Sequence, residues 1–168
     1  MSGALKKRAG DGDAYDLGTK YLFCSEIAAG MHHLGEHNFI HRDLAARNVL
    51  LDLLGTLKVA DFGLSRGANT SGAGDGADGE LSTYYRSQNG CFPVRWTAPE
   101  AIETMKFTAA SDVWSFAVTV LEMFTPGELP YSSWPNAEVI KNVMAGERVP
   151  RPRGCFDEMH ALLRWCWS

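Results

Sequence analysis

Apolar residues Phe23, Ile27, Met31 and Leu34 recur at spacings of four, four and three. That is the period of a helix with one buried face, and it predicts a helix from about Leu17. A second stretch, Val113, Trp114, Phe116, Val118, Val120, Leu121 and Phe124, leaves almost no polar face. Such a helix belongs at the centre of a core, with Ser111 as its cap and Thr125-Pro126-Gly127 as its stop. Further on, Asn136 is placed as the cap of a helix carrying Val139, Ile140, Val143 and Met144. Met159, Leu162, Leu163 and Cys166 mark a last helix at the same period. Between the first two helices, Val49-Leu50-Leu51 and Leu57-Lys58-Val59-Ala60 flank a turn at Leu54-Gly55, the pattern of two short strands in a hairpin. The predicted class is mainly α with a short β hairpin. All these apolar positions are expected in the core, and the chain has no internal repeat.

Two stretches lack any period. Residues 1–18 hold a short basic piece broken by Gly10-Asp11-Gly12-Asp13. Residues 67–80 are rich in glycine and poor in apolar side chains, so they are expected to be mobile. Within them Gly74-Asp75-Gly76-Ala77-Asp78-Gly79 fits G-x-G-x-x-G. No strand precedes it, and Asp75 and Asp78 would repel phosphate, so it is set aside as a nucleotide site.

Composition narrows the classes. With 168 residues, 45% of them hydrophobic, the chain is the size of a single domain with one core. A net charge of -4 offers no basic footprint for nucleic acid. The four cysteines, Cys24, Cys91, Cys155 and Cys166, form no C-x-x-C pair and suggest neither zinc nor disulfides, so a reducing, cytoplasmic setting is expected. No apolar run reaches bilayer-spanning length, and Met1 to Arg8 lacks a signal-peptide core. An anchor, if the parent is a receptor, is expected outside these residues.

The stretch that carries chemistry is His41-Arg42-Asp43-Leu44-Ala45-Ala46-Arg47-Asn48, which fits H-R-D-L-x-x-x-N. Phosphoryl transfer needs a carboxylate to take the proton of the attacking hydroxyl and ligands to hold metal on the phosphates. Asp43 and Asn48, five residues apart, would supply a base and a metal ligand. A surface loop keeping Asp, Arg and Asn for turn chemistry is the competing reading, and five constrained positions weigh against it. The predicted hairpin then delivers Asp61-Phe62-Gly63, thirteen residues after Asn48. A carboxylate at a strand end, followed by a glycine that lets the chain turn, is suited to reach the same metal.

Tyr84-Tyr85-Arg86 and Pro93-Val94-Arg95-Trp96-Thr97-Ala98-Pro99-Glu100 follow. A tyrosine pair between Asp-Phe-Gly and Ala-Pro-Glu stands where an activation phosphosite is expected; exposed loop tyrosines are the bland alternative. A phosphate there could pair with Arg42 and order the loop. Asp112, in the first turn of the central helix, is expected to bond to backbone rather than stand free near the core.

From about Lys20 to Trp167 these residues resemble the protein tyrosine kinases, through His41–Asn48, Asp61–Gly63, Pro93–Glu100, Ser111–Phe116 and Cys166-Trp167. The Tyr-Tyr-Arg stretch is similar to insulin- and neurotrophin-receptor kinases, and Trp96 to Ser115 to ephrin-receptor kinases. Ala45 stands where serine/threonine kinases carry lysine, and Arg47 follows as in many tyrosine kinases. The resemblance implies a protein-kinase-like fold, present as its C-terminal lobe (residues 20–168, with a catalytic loop at 41–48 and an activation segment at 61–100) after a remnant over 1–19. It implies transfer of the ATP γ-phosphoryl group to protein tyrosine with Mg2+ as cofactor. Asp43 would orient or deprotonate the tyrosine hydroxyl, Arg47 support the substrate, and Asn48 and Asp61 hold the metals. Arg42 would pair phosphorylated Tyr84 or Tyr85, and Asp112 brace the catalytic loop. His41, Phe62, Gly63 and Glu100 would lend structural support, and Pro93, Arg95 and Trp96 would form a platform for the substrate tyrosine.

The same resemblance has departures. Ala117 stands where the family usually has glycine. The family's nucleotide-binding lobe is not among these residues, nor is the arginine that pairs with the glutamate of Ala-Pro-Glu. If Glu100 is buried, lack of that partner costs about 3–5 kcal/mol. The fragment is therefore expected to be inactive alone, and the alternative reading is a catalytically silent binding or scaffold module.

Overall fold

The computed structural model describes residues 15–64, 66–67, 85–87 and 90–168. Helix α1, Leu17–Glu36, starts where the Asp16 carboxylate accepts the Thr19 N–H at 2.7 Å, a bond that holds its carboxyl below the usual range. Phe23, Cys24 and Ile27 are buried, while Met31 and Leu34 are half-buried at the helix's far end. Two contacts fix α1 against the hairpin. The Glu26 carboxylate accepts the Leu57 N–H at 2.8 Å. Gly30 lies so close to Val59 that a Cβ would stand 3.0 Å from its Cγ2.

The hairpin forms as expected, with β2 (Val49–Leu51) antiparallel to β3 (Leu57–Val59) and Val49 opposite Val59. Its turn is closed by Asp52, whose Oδ1 accepts the N–H groups of Leu54 and Thr56, each at 2.9 Å, and by Gly55 at φ 83°. Two further antiparallel pairs were not predicted. β1 (Phe39–Ile40) joins β4 (Arg66–Gly67), and β5 (Tyr85–Ser87) joins β6 (Gly90–Phe92). Strands of two or three residues are too short to display alternation.

Helix α3, Ala109–Glu122, is the centre of the core, packed by α1 on one side and α5 on another. Its buried positions include Trp114, Ala117, Val118, Val120 and Leu121. The cap is Thr108, not Ser111. The Thr108 hydroxyl accepts the Ser111 N–H at 3.3 Å and Ser111 faces the Thr108 N–H at 2.9 Å, a reciprocal capping box with Ser111 at its inner position. The helix also stops earlier than expected, at Glu122, with Met123 and Phe124 still buried.

Helix α4, Asn136–Met144, begins inside Asn136, so that residue is not its cap; Pro135 holds that position with an extended backbone. α5, Asp157–Cys166, buries Met159 and Leu163. Val113, Met144 and Leu162, expected in the core, are exposed instead, because each lies on the outer side of its helix, and in β2 only Val49 is buried while Leu50 and Leu51 are exposed. The short α2, Pro99–Thr104, was not foreseen; proline in its first turn and Met105 in the left-handed region bound it. The described cysteines Cys24, Cys155 and Cys166 are free thiols, and burial pushes Cys24 up to about 11. Among the described residues no helix is long and apolar enough to cross a membrane.

Candidate active site

The stretch 41–48 is threaded through the core rather than laid on the surface. His41, Asp43 and Asn48 are 0%, 4% and 6% exposed. The anchor is Asp112 of α3, whose two oxygens accept the N–H groups of His41 at 2.7 Å and Arg42 at 3.0 Å. Both oxygens are thus bonded to backbone, as expected for a carboxylate at this depth. Arg42 has a φ of 69°, a left-handed conformation that a residue with a side chain adopts at a cost. The carboxylate therefore holds the loop in a shape it would not keep alone. Burial pushes the Asp112 carboxyl above its usual range, and the two N–H bonds offset only part of that rise.

His41 links the loop to the strand behind it. The Asp43 N–H donates to its Nδ1 at 3.3 Å, and its Nε2 is 3.2 Å from the Ala60 carbonyl oxygen. An imidazole that accepts at Nδ1 and donates at Nε2 serves both neighbours at once. The Ala60 N–H returns to the Asn48 carbonyl at 2.8 Å. Asn48 and the residue before Asp61 are thereby joined through backbone. The Asn48 amide donates to the Asp43 carbonyl at 2.6 Å, so its side-chain oxygen is the atom it has to offer a ligand. Asp61 is exposed, with φ 63°, and its Oδ1 accepts the Gly63 N–H at 3.3 Å. Phe62 is half exposed, its ring 5.5 Å from that of His41.

Arg47 joins the loop to the 93–96 segment. Its guanidinium donates to the Asp43 carboxylate and lies 4.6 Å over the Trp96 ring. The structure thus gathers Asp43, Arg47, Asn48 and Trp96 in one cluster with Asp61 beside it. Arg95 is elsewhere. Its guanidinium is buried and donates to the carbonyls of Pro130, Tyr131 and Trp134 at 2.7, 2.8 and 2.7 Å. Pro93, Arg95 and Trp96 are all buried, so in this structure they brace the segment rather than present side chains. Glu100 is exposed on α2, so the cost of burying it alone does not arise. Tyr84 lies outside the described residues, as does the 74–79 glycine stretch; of Tyr85 the structure describes the backbone, in β5.

One residue that the sequence did not point to is Glu122. Its Oε2 accepts the Ala46 N–H at 2.9 Å and the Trp96 indole N–H at 2.7 Å. The last residue of α3 therefore pins the 41–48 stretch and the 93–96 segment to the same point. Ser115, two turns earlier on the same face of α3, donates to the Trp96 carbonyl at 2.7 Å.

The family model of the protein tyrosine and serine/threonine kinases matches residues 2–168. The chain belongs to that kinase family. It is 43% identical over 148 residues to tyrosine-protein kinase Shark of Drosophila melanogaster, covering 88% of this chain and 15% of Shark. It is 45% identical over 142 residues to ephrin type-A receptor 3 of Danio rerio, and 48% over 141 residues to ephrin type-B receptor 3 of Gallus gallus. Each of those alignments covers 84% of this chain and 14% of the receptor. This kinase-family chain thus spans about one seventh of the length of these relatives.

Proposed function

We propose that residues 20–168 are the C-terminal lobe of a protein tyrosine kinase domain, acting on protein tyrosine at the cytoplasmic side of the cell. The observation that carries the tyrosine reading is the contact of Arg47 with both the Asp43 carboxylate and the Trp96 ring. Asp43 is the group that takes or orients the hydroxyl proton, and Arg47 holds its carboxylate in one place against the 93–96 segment. Lysine two residues after the base, the serine/threonine arrangement, is replaced by Ala45, which is fully buried.

The remaining donors fit magnesium. Asn48 offers an amide oxygen and Asp61 a carboxylate, hard oxygen ligands of the kind that ion takes alongside phosphate oxygens. When bound, ATP and Mg2+ supply the phosphoryl group and neutralise the charge that develops on it. The chain's own part is to keep Asp43 fixed by Arg47 and by the backbone of a loop held from Asp112. Arg42, with its guanidinium 5.7 Å over the Phe107 ring, is the proposed partner of a phosphorylated Tyr84 or Tyr85.

The test is a protein that carries this chain together with the nucleotide-binding lobe of its gene. It should phosphorylate a tyrosine peptide with ATP and Mg2+ and leave a serine peptide untouched. Asp43→Asn should remove that activity while the melting temperature stays near the wild type's. Phosphate on serine in place of tyrosine, or an unchanged rate with Asp43→Asn, would refute the reading.

A further inference from the structure

The far end of α1 gathers four side chains that the catalytic cluster does not use. His33 and Glu36 lie in the last turn, His32 just before it and His37 at the cap, all exposed. Residues four apart share one helix face, and both such pairs meet here. His32 Nδ1 is 3.5 Å from the Glu36 carboxylate, and the rings of His33 and His37 are 4.3 Å apart between centroids. His37 Nδ1 also lies 2.8 Å from the His33 carbonyl oxygen. A carbonyl only accepts, so Nδ1 carries the proton and Nε2 presents its lone pair. In protein metal sites the ligating histidine is oriented in the same way, one ring nitrogen donating to a carbonyl and the other coordinating. The partial negative charge of the helix C-terminus and the Glu36 carboxylate add attraction for a cation.

We propose that His33 and His37 form a surface site for a divalent transition ion that prefers imidazole: Zn2+, Ni2+ or Cu2+. Two histidines four apart on one helix face are the ligand pair of helical zinc sites. Among the described residues no group of three or more His, Cys, Asp and Glu side chains is assembled for a metal, so the protein supplies two ligands and water the rest. Nitrogen donors select these ions over Mg2+ and Ca2+, which take oxygen. The site is thus chemically distinct from the one offered by Asn48 and Asp61. His33 also lines a groove of about 370 Å³ between α1 and β3, along with Phe62, so a bound ion would fix one wall of that groove.

Calorimetric titration of the whole 168-residue chain with Ni2+, in excess Mg2+, tests the site. One ion should bind per chain. His33→Gln and His37→Gln should each weaken binding at least about tenfold, the low end of what even a lost supporting contact costs a metal site. His160→Gln, on α5, should leave it unchanged. Loading with Cu2+ should give an electron paramagnetic resonance spectrum with coupling to two imidazole nitrogens, and one after either substitution. Both side chains are exposed, so the substitutions leave the core intact, and circular dichroism of each variant should match the wild type. No binding at millimolar Ni2+, or equal affinity in the three variants, would overturn the proposal.

Discussion

The stretch 41–48 and the Asp61-Phe62-Gly63 turn hold the two halves of the proposed site, yet the fold treats them differently. Every backbone N–H singled out in 41–48 is met by a side chain: Asp112 for His41 and Arg42, Glu122 for Ala46, His41 for Asp43. The turn has an exposed Asp61, a half-exposed Phe62 and a single bond of 3.3 Å from Gly63 to the Asp61 carboxylate. The side that holds Asp43, the proposed base, is therefore a product of folding the helical core. The Asp61 side, which holds a proposed metal ligand, is tied to it through Ala60, whose N–H bonds the Asn48 carbonyl and whose carbonyl faces His41 Nε2, and through the Phe62–His41 ring contact. Substitutions that free the first region should cost stability, and those in the second should spare it.

The largest effect is expected at Asp112. Asp112→Ala strands two buried N–H groups, at about 1–3 kcal/mol each, and removes the support for left-handed Arg42. Urea unfolding should show a loss of about 2–5 kcal/mol. Asp112→Asn keeps one carbonyl oxygen and should lose about half of that. The same pair of variants has a pH signature. Because burial raises the Asp112 pKa, the folded chain keeps this proton where the unfolded chain has released it. Its contribution is complete below the ordinary value of 3.8 and is lost as pH rises through the raised one. The stability curve of Asp112→Asn should lack that slope.

Next come Glu122→Gln and Phe62→Ala, one from each region. A glutamine oxygen can still accept from Ala46 and Trp96, but without charge, and the loss should be about 1 kcal/mol. The indole emission of Trp96 should shift with it, since the bonded carboxylate is replaced. Phe62 is a larger truncation, yet half of its ring already faces water. Its loss should cost about 1 kcal/mol or less, against about 3–5 kcal/mol for a phenylalanine of the core. A stability loss at Phe62 as large as that at Asp112 would end the distinction between the two regions.

How much of this was legible depends on the distance along the chain over which each feature is encoded. Asp43, Asn48 and Asp61, the proposed base and metal ligands, stand in short fixed spacings, so the sequence displays that pattern without a structure. The period of α1 and α3 is equally local. Glu122 is a single acidic residue at the end of an apolar helix, and its partners lie 76 and 26 residues away. Nothing near it announces either contact. Arg95 fits a platform by position, but its three carbonyl partners 35 to 39 residues on make it a brace. The β1–β4 pair fails for another reason, since two residues carry no period at all.

The smallest effect sharpens the comparison within α1 itself. Alanine normally improves on glycine in a helix by about 0.5–1 kcal/mol. At Gly35 an added Cβ meets nothing within 4 Å, so Gly35→Ala should raise stability by about 0.5 kcal/mol. At Gly30 the same Cβ stands 3.0 Å from Cγ2 of Val59, a β-branched side chain with little rotamer freedom. Val59 sits in β3, paired with Val49 directly after Asn48, so it cannot yield without moving the strand that leads to Asp61. The crowding, at about 1–3 kcal/mol for an extra methyl in packed surroundings, should cancel the helix gain or exceed it. Gly30→Ala should therefore melt at or below the wild-type temperature while Gly35→Ala melts above it. Equal stabilisation at both positions would show that α1 and the hairpin are not held as closely as the site requires.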